Sequence, residues 1–348
     1  MDYSSIFQYL FPFLFGFGVS LLLLGIATLV SRHFSRLSEA GRDHKPVPRF
    51  GGLAIGVAFL FVVLLNPVLE RTPELWGLIL GATIALASGA LDDVTPLSWP
   101  VQLPVQIGLG ALLFVFGMRA WVVTNPFGDP LLLVPGANPW PSLVLGIVFT
   151  LLIINAMNWA DGVDGLLPGI SSVASIAILF VSLRPEVNQP TVAILSLVLL
   201  GGALALLVFN APPARLLSGT SGAYFLGFTV SALALFSGVK IATVLLALSV
   251  PVLDALFVIR ERIRAGVSPF RGGDARHLHD RLRMIGWSDR KIALVYVAVS
   301  ALSAGAALLL PAAGKFWFLL AFAFAFIFLL SKLDRATQKR EHMSYRRT

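Results

Sequence analysis

The sequence predicts an all-α integral membrane protein of about eleven transmembrane helices, with its N-terminus outside, its C-terminus cytoplasmic and a polar site on the cytoplasmic face. Three observations carry this: an apolar composition, a series of apolar runs of spanning length, and a lopsided distribution of Lys and Arg. Of 348 residues 57% are hydrophobic and 13% charged, and the mean hydropathy is +0.85. A soluble domain carries about 25% charged residues, so the deficit calls for an apolar solvent. The chain has no cysteine, which excludes a disulfide framework, a cysteine zinc site and a thiol nucleophile.

Eleven apolar segments follow one another, near 6–30, 50–69, 75–91, 101–118, 141–158, 166–184, 190–209, 221–238, 240–259, 291–312 and 316–333. Each has roughly the 17–25 residues that a bilayer core asks of a helix. The first has no basic flank and no small-residue cleavage site, and reads as a retained helix rather than a signal peptide. No repeat, low-complexity run or soluble domain interrupts them, so residues 1–348 read as one membrane domain.

Orientation follows from the cations. The loops after the first segment, before the eighth and before the tenth, with the C-terminal tail, hold 21 Lys and Arg, and the opposite loops hold 5. The richer side faces the cytoplasm. The formal net charge of +8 then reflects topology and anionic lipid contacts before nucleic acid.

The carboxylates fall on the same side. Asp92 and Asp93 end the third segment, Asp161 and Asp164 follow the fifth, and Asp254 lies near the inner end of the ninth. Carboxylates at membrane depth are costly and face a cavity or a partner, so five at one face mark a polar site; ordinary solvation of helix ends is the blander account. The run Asn155-Ala-Met-Asn158-Trp-Ala-Asp161-Gly-Val-Asp164-Gly165-Leu166 carries the sharpest signal. Asn155, Asn158 and Asp161 share a helix face, and Gly162 and Gly165 break the helix and let backbone approach a ligand. Amides with carboxylates suit a nucleotide or a hydrated Mg²⁺; a polar interhelical seam is the competing account.

Two basic stretches complete the picture. Lys45-Pro-Val-Pro-Arg49-Phe-Gly51-Gly52 sets two cations on a stiff turn that can present charge to a phosphate, although a juxtamembrane anchor reads the same way. The cytoplasmic loop at 260–290 is basic, and within it Asp274–Ile285 reads as a short amphipathic helix closed by Gly286. Leu278, Leu282 and Ile285 form a stripe suited to a lipid surface. On such a helix His277 and His279 stand about 160° apart and cannot share a metal. Phosphate or substrate contact is favoured over zinc, with a solvated basic helix as the alternative.

With these residues in view, the chain resembles the polyprenyl-phosphate N-acetylhexosamine-1-phosphate transferases of glycosyltransferase family 4. Five stretches match in order: Lys45–Gly52, Asp92-Asp93, Asn155–Leu166, Asn210–Phe228 and Pro251–Arg283. His277-Leu278-His279, followed by Asp280-Arg281, is similar to the bacterial branch that uses undecaprenyl phosphate and GlcNAc-1-phosphate. The resemblance implies transfer of a sugar-1-phosphate from a UDP-N-acetylhexosamine to undecaprenyl phosphate, with release of UMP. That is the first membrane step of a cell-envelope glycan pathway, such as lipopolysaccharide or teichoic acid biosynthesis, in the bacterial cytoplasmic (inner) membrane. The implied cofactor is Mg²⁺, with Mn²⁺ as a substitute. The implied partners are the two substrates and membrane lipids, with no nucleic acid; a homodimer is left open.

Carried over by position, Asp92 or Asp93 orients or deprotonates the lipid phosphate. Asn155, Asn158, Asp161, Asp164 and Asn210 face the substrate, and Asp161 and Asp164 also the metal. Lys45, Arg49, Arg276, His277, His279 and Arg281 meet phosphates. The chain departs from the family pattern at four places. Thr220 stands where a metal-binding aspartate is usual, Pro96 where Asp or Asn often follows the Asp pair, Gln102 where a basic residue is usual, and Asp280 where a second His is usual. Thr220 keeps a weak or silent family member in play. A secondary transporter would want ionisable groups at mid-bilayer on several helices, and a CDP-alcohol phosphotransferase would want an Ala-Arg after the Asp161 stretch that is not there.

Overall fold

The structure is a computed structural model that describes residues 3–31, 38–40, 46–123, 125–129, 131–134, 138–236, 241–269 and 277–345, with side chains between 7 and 30 and between 47 and 333. It is a bundle of helices: α1 (Tyr3–Ser31), α2 (Gly51–Leu65), α3 (Pro73–Val94), α4 (Trp99–Val115), α5 (Trp140–Ala160), α6 (Leu166–Ser182), α7 (Pro190–Asn210), α8 (Gly219–Leu235), α9 (Ile241–Ala247), α10 (Ser249–Arg264), α11 (Leu278–Met284), α12 (Asp289–Leu309) and α13 (Ala312–Tyr345). Two small antiparallel pairs sit in loops, β1 (Ser38–Ala40) with β2 (Pro46–Pro48), and β3 (Val122–Val123) with β4 (Leu131–Leu132).

Local chemistry explains several starts. Thr72 Oγ1 accepts from Leu75 N ahead of Pro73 and Glu74, so α3 opens with a cap, a proline and an acid. Ser288 Oγ accepts from Lys291 N to open α12. Pro100, Pro141 and Pro190 stand in the first turns of α4, α5 and α7, where a missing N–H costs nothing.

Among the described residues six helices are long and apolar enough to cross a membrane (α1, α3, α5, α7, α12 and the apolar part of α13), or seven if α9 and α10 count as one broken span. The helices α2, α4, α6 and α8 are apolar but have 15 or 17 residues, about 23–26 Å at 1.5 Å per residue. The apolar segments of the sequence thus correspond to helices, with one correction. The ninth segment, expected as a single helix, is α9 and α10 meeting at 84°. Leu248 leaves helical geometry at φ −104° and ψ 25°, and Pro251 has no N–H to return to the Ala247 carbonyl.

The core runs the length of the bundle, and α8 is its central post. Every α8 residue except Thr220 is buried, against α3, α5, α2 and their neighbours. A helix apolar on all sides must be enclosed in this way. Glycines set the spacing: a Cβ on Gly52 would collide with the backbone of Gly222, and one on Gly89 would sit 2.5 Å from Ser221 Cα.

Candidate active site

The described parts of the loops joining α1 to α2, α3 to α4, α5 to α6, α7 to α8 and α10 to α12 gather at one end of the bundle, tied by backbone and side-chain bonds. Leu217 N donates to Pro48 O (2.8 Å), Gly51 N to Leu217 O (3.0 Å) and Gly52 N to Ser218 O (2.8 Å). This ladder docks the Arg49 turn on the start of α8. Lys45 lies outside the described residues.

Asp93 is fixed by that same start. Its Oδ1 accepts from Thr220 N (2.7 Å) and its Oδ2 from Ser221 N (3.0 Å). These are orphan N–H groups at a helix N-terminus, where a carboxylate is favoured. The Arg49 charge also acts on it. Gly219 has φ +70°, and a Cβ there would meet the Asp93 carboxylate at 2.6 Å, so only glycine fits. Asp92, the next residue, is held differently. Its Oδ1 accepts from Leu97 N (2.7 Å) and Gln102 Nε2 (3.0 Å), and its Oδ2 has no hydrogen bond among the described residues.

Across the bundle end, the Asn155–Leu166 run closes α5 and opens α6. Asp161 is the C-cap of α5, and Gly165 turns the chain at φ +77°. Asn210 holds this turn: Gly165 N donates to its Oδ1 (2.8 Å) and its Nδ2 donates to Leu216 O (2.9 Å). Ala214 N donates to Asp164 Oδ2 (3.0 Å). Asn155 is buried and points into the bundle, donating to Gln106 Oε1 (2.5 Å) and Leu151 O (2.8 Å). Asn158, half-buried, makes no side-chain hydrogen bond among the described residues.

The basic loop completes the end. Asp254 is buried in α10 and accepts from Leu278 N (2.8 Å) and the His277 Nδ1–H (2.8 Å), anchoring α11. His277 precedes α11 in extended conformation, so the expected 160° separation does not arise: the His277 and His279 rings stack 5.4 Å apart, 3° from parallel. The expected 274–285 helix begins, within the described residues, at Leu278; Arg276 lies outside them. Leu278 and Leu282 are 4% and 5% exposed and belong to the protein core, so this stripe faces inward, correcting the expectation of a lipid-facing one.

His279 packs on Gly162, whose added Cβ would lie 2.7 Å from Nε2. Burial pulls its pKa down to about 4, against the opposing pull of Asp280 and Asp254 and with help from His277 and Arg283. Without a bound anion it is neutral at pH 7. Arg283 donates to Gly162 O and pairs with Asp289 (2.8 Å). Arg281, 8% exposed, lies over Phe257, and the fully buried Arg262 lies over Trp159 at 4.9 Å.

Sequence reasoning did not assign a role to Gln106, Tyr224, Arg262 or Arg283. Gln106 sits mid-segment in an apolar run, a signal that a buried polar partner was needed. Among the described residues no three His, Asp or Glu side chains converge to hold a metal ion. Mg²⁺ is commonly held by one or two carboxylates with waters and substrate phosphates, and the half-buried Asp161 and Asp164 suit that arrangement, not a closed protein cage.

Comparison with known proteins identifies the family. Residues 75–238 match the model of Glycosyl transferase family 4. The probable undecaprenyl-phosphate N-acetylglucosaminyl 1-phosphate transferase of Bacillus subtilis (strain 168) is 29% identical, over 84% of this chain and 81% of its own. The decaprenyl-phosphate N-acetylglucosaminephosphotransferase of Mycolicibacterium smegmatis is 31% identical, over 76% of this chain and 72% of its own. The phospho-N-acetylmuramoyl-pentapeptide-transferase of Bacillus pumilus is 28% identical, over 82% and 93%. With its Asp pair, its Asn155–Leu166 turn and its histidine loop brought to one end of an apolar bundle, the chain belongs to glycosyl transferase family 4, among the polyprenyl-phosphate N-acetylhexosamine-1-phosphate transferases.

Proposed function

We propose that this protein transfers GlcNAc-1-phosphate from UDP-GlcNAc to undecaprenyl phosphate at the cytoplasmic face of the bacterial inner membrane. The observation that carries the reading is the meeting of Asp92, Asp161 and Asp164 with the Arg49 turn and the histidine loop at one end of the bundle. An oxygen of the lipid phosphate attacks the β-phosphorus, the bond from that phosphorus to the bridging oxygen breaks, and UMP leaves with that oxygen. A phosphate monoester is already mostly dianionic at pH 7, so Asp92 acts more by orienting the nucleophile, and taking its residual proton, than as a strong base. Asp93 holds α8 in place beside it.

Asn158, whose amide makes no hydrogen bond among the described residues, binds the nucleotide. Arg49 and Arg281 supply positive charge for phosphates, and His279 offers a neutral imidazole that gains a proton when an anion arrives. Asp161 and Asp164 would hold Mg²⁺, which when bound neutralises phosphate charge; transfer of this kind rests on positioning and charge neutralisation. The eleven apolar segments cross the membrane with the C-terminus inside, supported by the 21-to-5 distribution of Lys and Arg.

The test is radiolabelled transfer from a panel of UDP-N-acetylhexosamines, including UDP-N-acetylmuramoyl-pentapeptide, to undecaprenyl phosphate in detergent, with and without Mg²⁺. Metal-dependent product from UDP-GlcNAc is expected. Product only from the muramoyl donor would move the substrate, and no product from any donor would remove the reading.

A further inference from the structure

A chain of side-chain hydrogen bonds crosses the bundle between the two halves of the site. Asn155 Nδ2 donates to Gln106 Oε1 (2.5 Å), Gln106 Nε2 to Tyr224 Oη (3.0 Å), Tyr224 Oη to Gln102 Oε1 (3.0 Å), and Gln102 Nε2 to Asp92 Oδ1 (3.0 Å). It links α5, α4, α8, α4 again and α3. Gln106 is 2% exposed and Tyr224 1%. Buried polar groups of this kind are costly without hydrogen-bond partners, and here each residue has at least one.

The direction of the chain is fixed at both ends. The second Asn155 Nδ2 hydrogen goes to Leu151 O (2.8 Å), and the second Gln102 Nε2 hydrogen to Leu97 O (2.8 Å). Neither amide can turn over without losing a backbone partner. Asn155 therefore points an N–H into the chain, Gln102 points its carbonyl into it and an N–H at Asp92, and Tyr224, with one proton, must follow. The sense ends with a donor aimed at Asp92. Gln102 is also the position where the family pattern expects a basic residue. A Lys or Arg can only donate, whereas glutamine accepts from Tyr224 and donates to Asp92 at once, so the through-connection depends on the glutamine.

We propose that Gln102, Gln106 and Tyr224 are positioning residues that lock Asp92 through its Oδ1, leaving Oδ2 for the reacting phosphate, and that they connect this carboxylate to the Asn155 turn of α5. The proposal rests on the transferase reading above for its effect on rate, and on geometry alone for the connection itself.

Two measurements separate these. Tyr224→Phe removes one hydroxyl and keeps the ring. It is expected to lower kcat about tenfold, about 1.4 kcal/mol of barrier, with KM for UDP-GlcNAc within twofold. Gln106→Met, of similar volume, should do the same, and the double variant should be no slower than the slower single. In an Asp92→Asn background Tyr224→Phe should have no further effect. An equal fall in both backgrounds would make the residues mere packing and overturn the proposal. Independently of activity, ¹³Cζ-labelled tyrosine gives five resonances, with Tyr224 identified by its loss in Tyr224→Phe. Asp92→Leu should shift that resonance, and Asp161→Asn should not. An unmoved resonance in Asp92→Leu overturns the connection even if the protein transfers no sugar phosphate. If Tyr224→Phe does not fold, the half-exposed Gln102→Met carries the same kinetic test, and the spectroscopic test becomes whether Gln102→Met and Asp92→Leu shift the same single tyrosine resonance of the five.

Discussion

Two carboxylates at the same end of the bundle are held by the same device and yet serve different regions. Asp93 accepts two backbone N–H groups from the start of α8, a 17-residue post enclosed on every side. Asp254 accepts one backbone N–H and one imidazole N–H at the start of α11, a 7-residue helix. The Asp93 region is built of backbone against backbone, with glycines where helices touch. The Asp254 region is built of stacked rings and long cations. In the first, the donors to the carboxylate are main-chain groups with no side-chain torsion of their own. In the second, one donor is an imidazole, and its neighbours are side chains that carry torsions of their own.

The largest effect that would separate the two regions is at Gly52. Its added Cβ meets the backbone of Gly222, which cannot turn aside. Gly52→Ala should cost about 3 kcal/mol or more, at the upper end of overpacking, and sharply reduce the yield of folded protein on size exclusion. A normal yield and melting temperature would show that α2 and α8 are not locked. Asp93→Asn comes next. An asparagine can present an oxygen to one N–H only and sets its own NH₂ against the other, and hydrogen bonds to a charged group are worth about 1.5–3 kcal/mol each. Melting temperature and turnover should fall together, turnover at least tenfold.

Asp254→Asn should leave α8 intact and loosen the histidine loop. Binding of UDP-GlcNAc is expected to weaken about tenfold and binding of uridine by less than twofold, by titration calorimetry; equal weakening would make the loop a structural lid. Acid should act on the same region. His279 has its folded pKa near 4, below the ordinary value of about 6.5. The unfolded state therefore binds more protons between these values, and stability is present above pH 6.5 and lost as the pH falls toward 4. Roughly 2 kcal/mol should go between pH 6.5 and 5, read as faster hydrogen exchange in α11, and His279→Gln should abolish that dependence. The smallest structural effect is expected for Thr220→Asp. Its N–H to Asp93 is retained and an acid at a helix start is favoured, so the melting temperature should change little while Mg²⁺-dependent turnover rises. A turnover unimproved or damaged by the aspartate would show that the metal, if needed, is bound without position 220.

Hydropathy made most of the helices legible because an apolar solvent leaves long uninterrupted runs. It missed the 84° break at Leu248 because a bend changes no residue's polarity. The Asp pair and the Asn155–Leu166 run were legible because charge beside an apolar run is costly and needs a reason. The roles within them were not. Asn210 and Asn155 read as substrate ligands, yet the structure engages Asn210 with the Gly165 turn and Asn155 with Gln106, 45 and 49 residues away in the chain. Such pairings depend on which helices become neighbours, and periodicity along one helix carries no record of that. The histidine loop failed for a local reason: within the described residues α11 starts at Leu278, not at the expected Asp274, which takes His277 off the helix and turns two opposed rings into a stack.

The clamp on Asp93 has a consequence for how this protein can change over generations. Its donors are main-chain groups of residues 220 and 221, and its clearances are set by Gly52, Gly89 and Gly219. The identity of the side chain at 220 enters neither. The side chain at that position can therefore change, between a hydroxyl and a carboxylate for example, while the post that carries it stays folded, so the architecture tolerates a change of chemistry there by one amino-acid replacement.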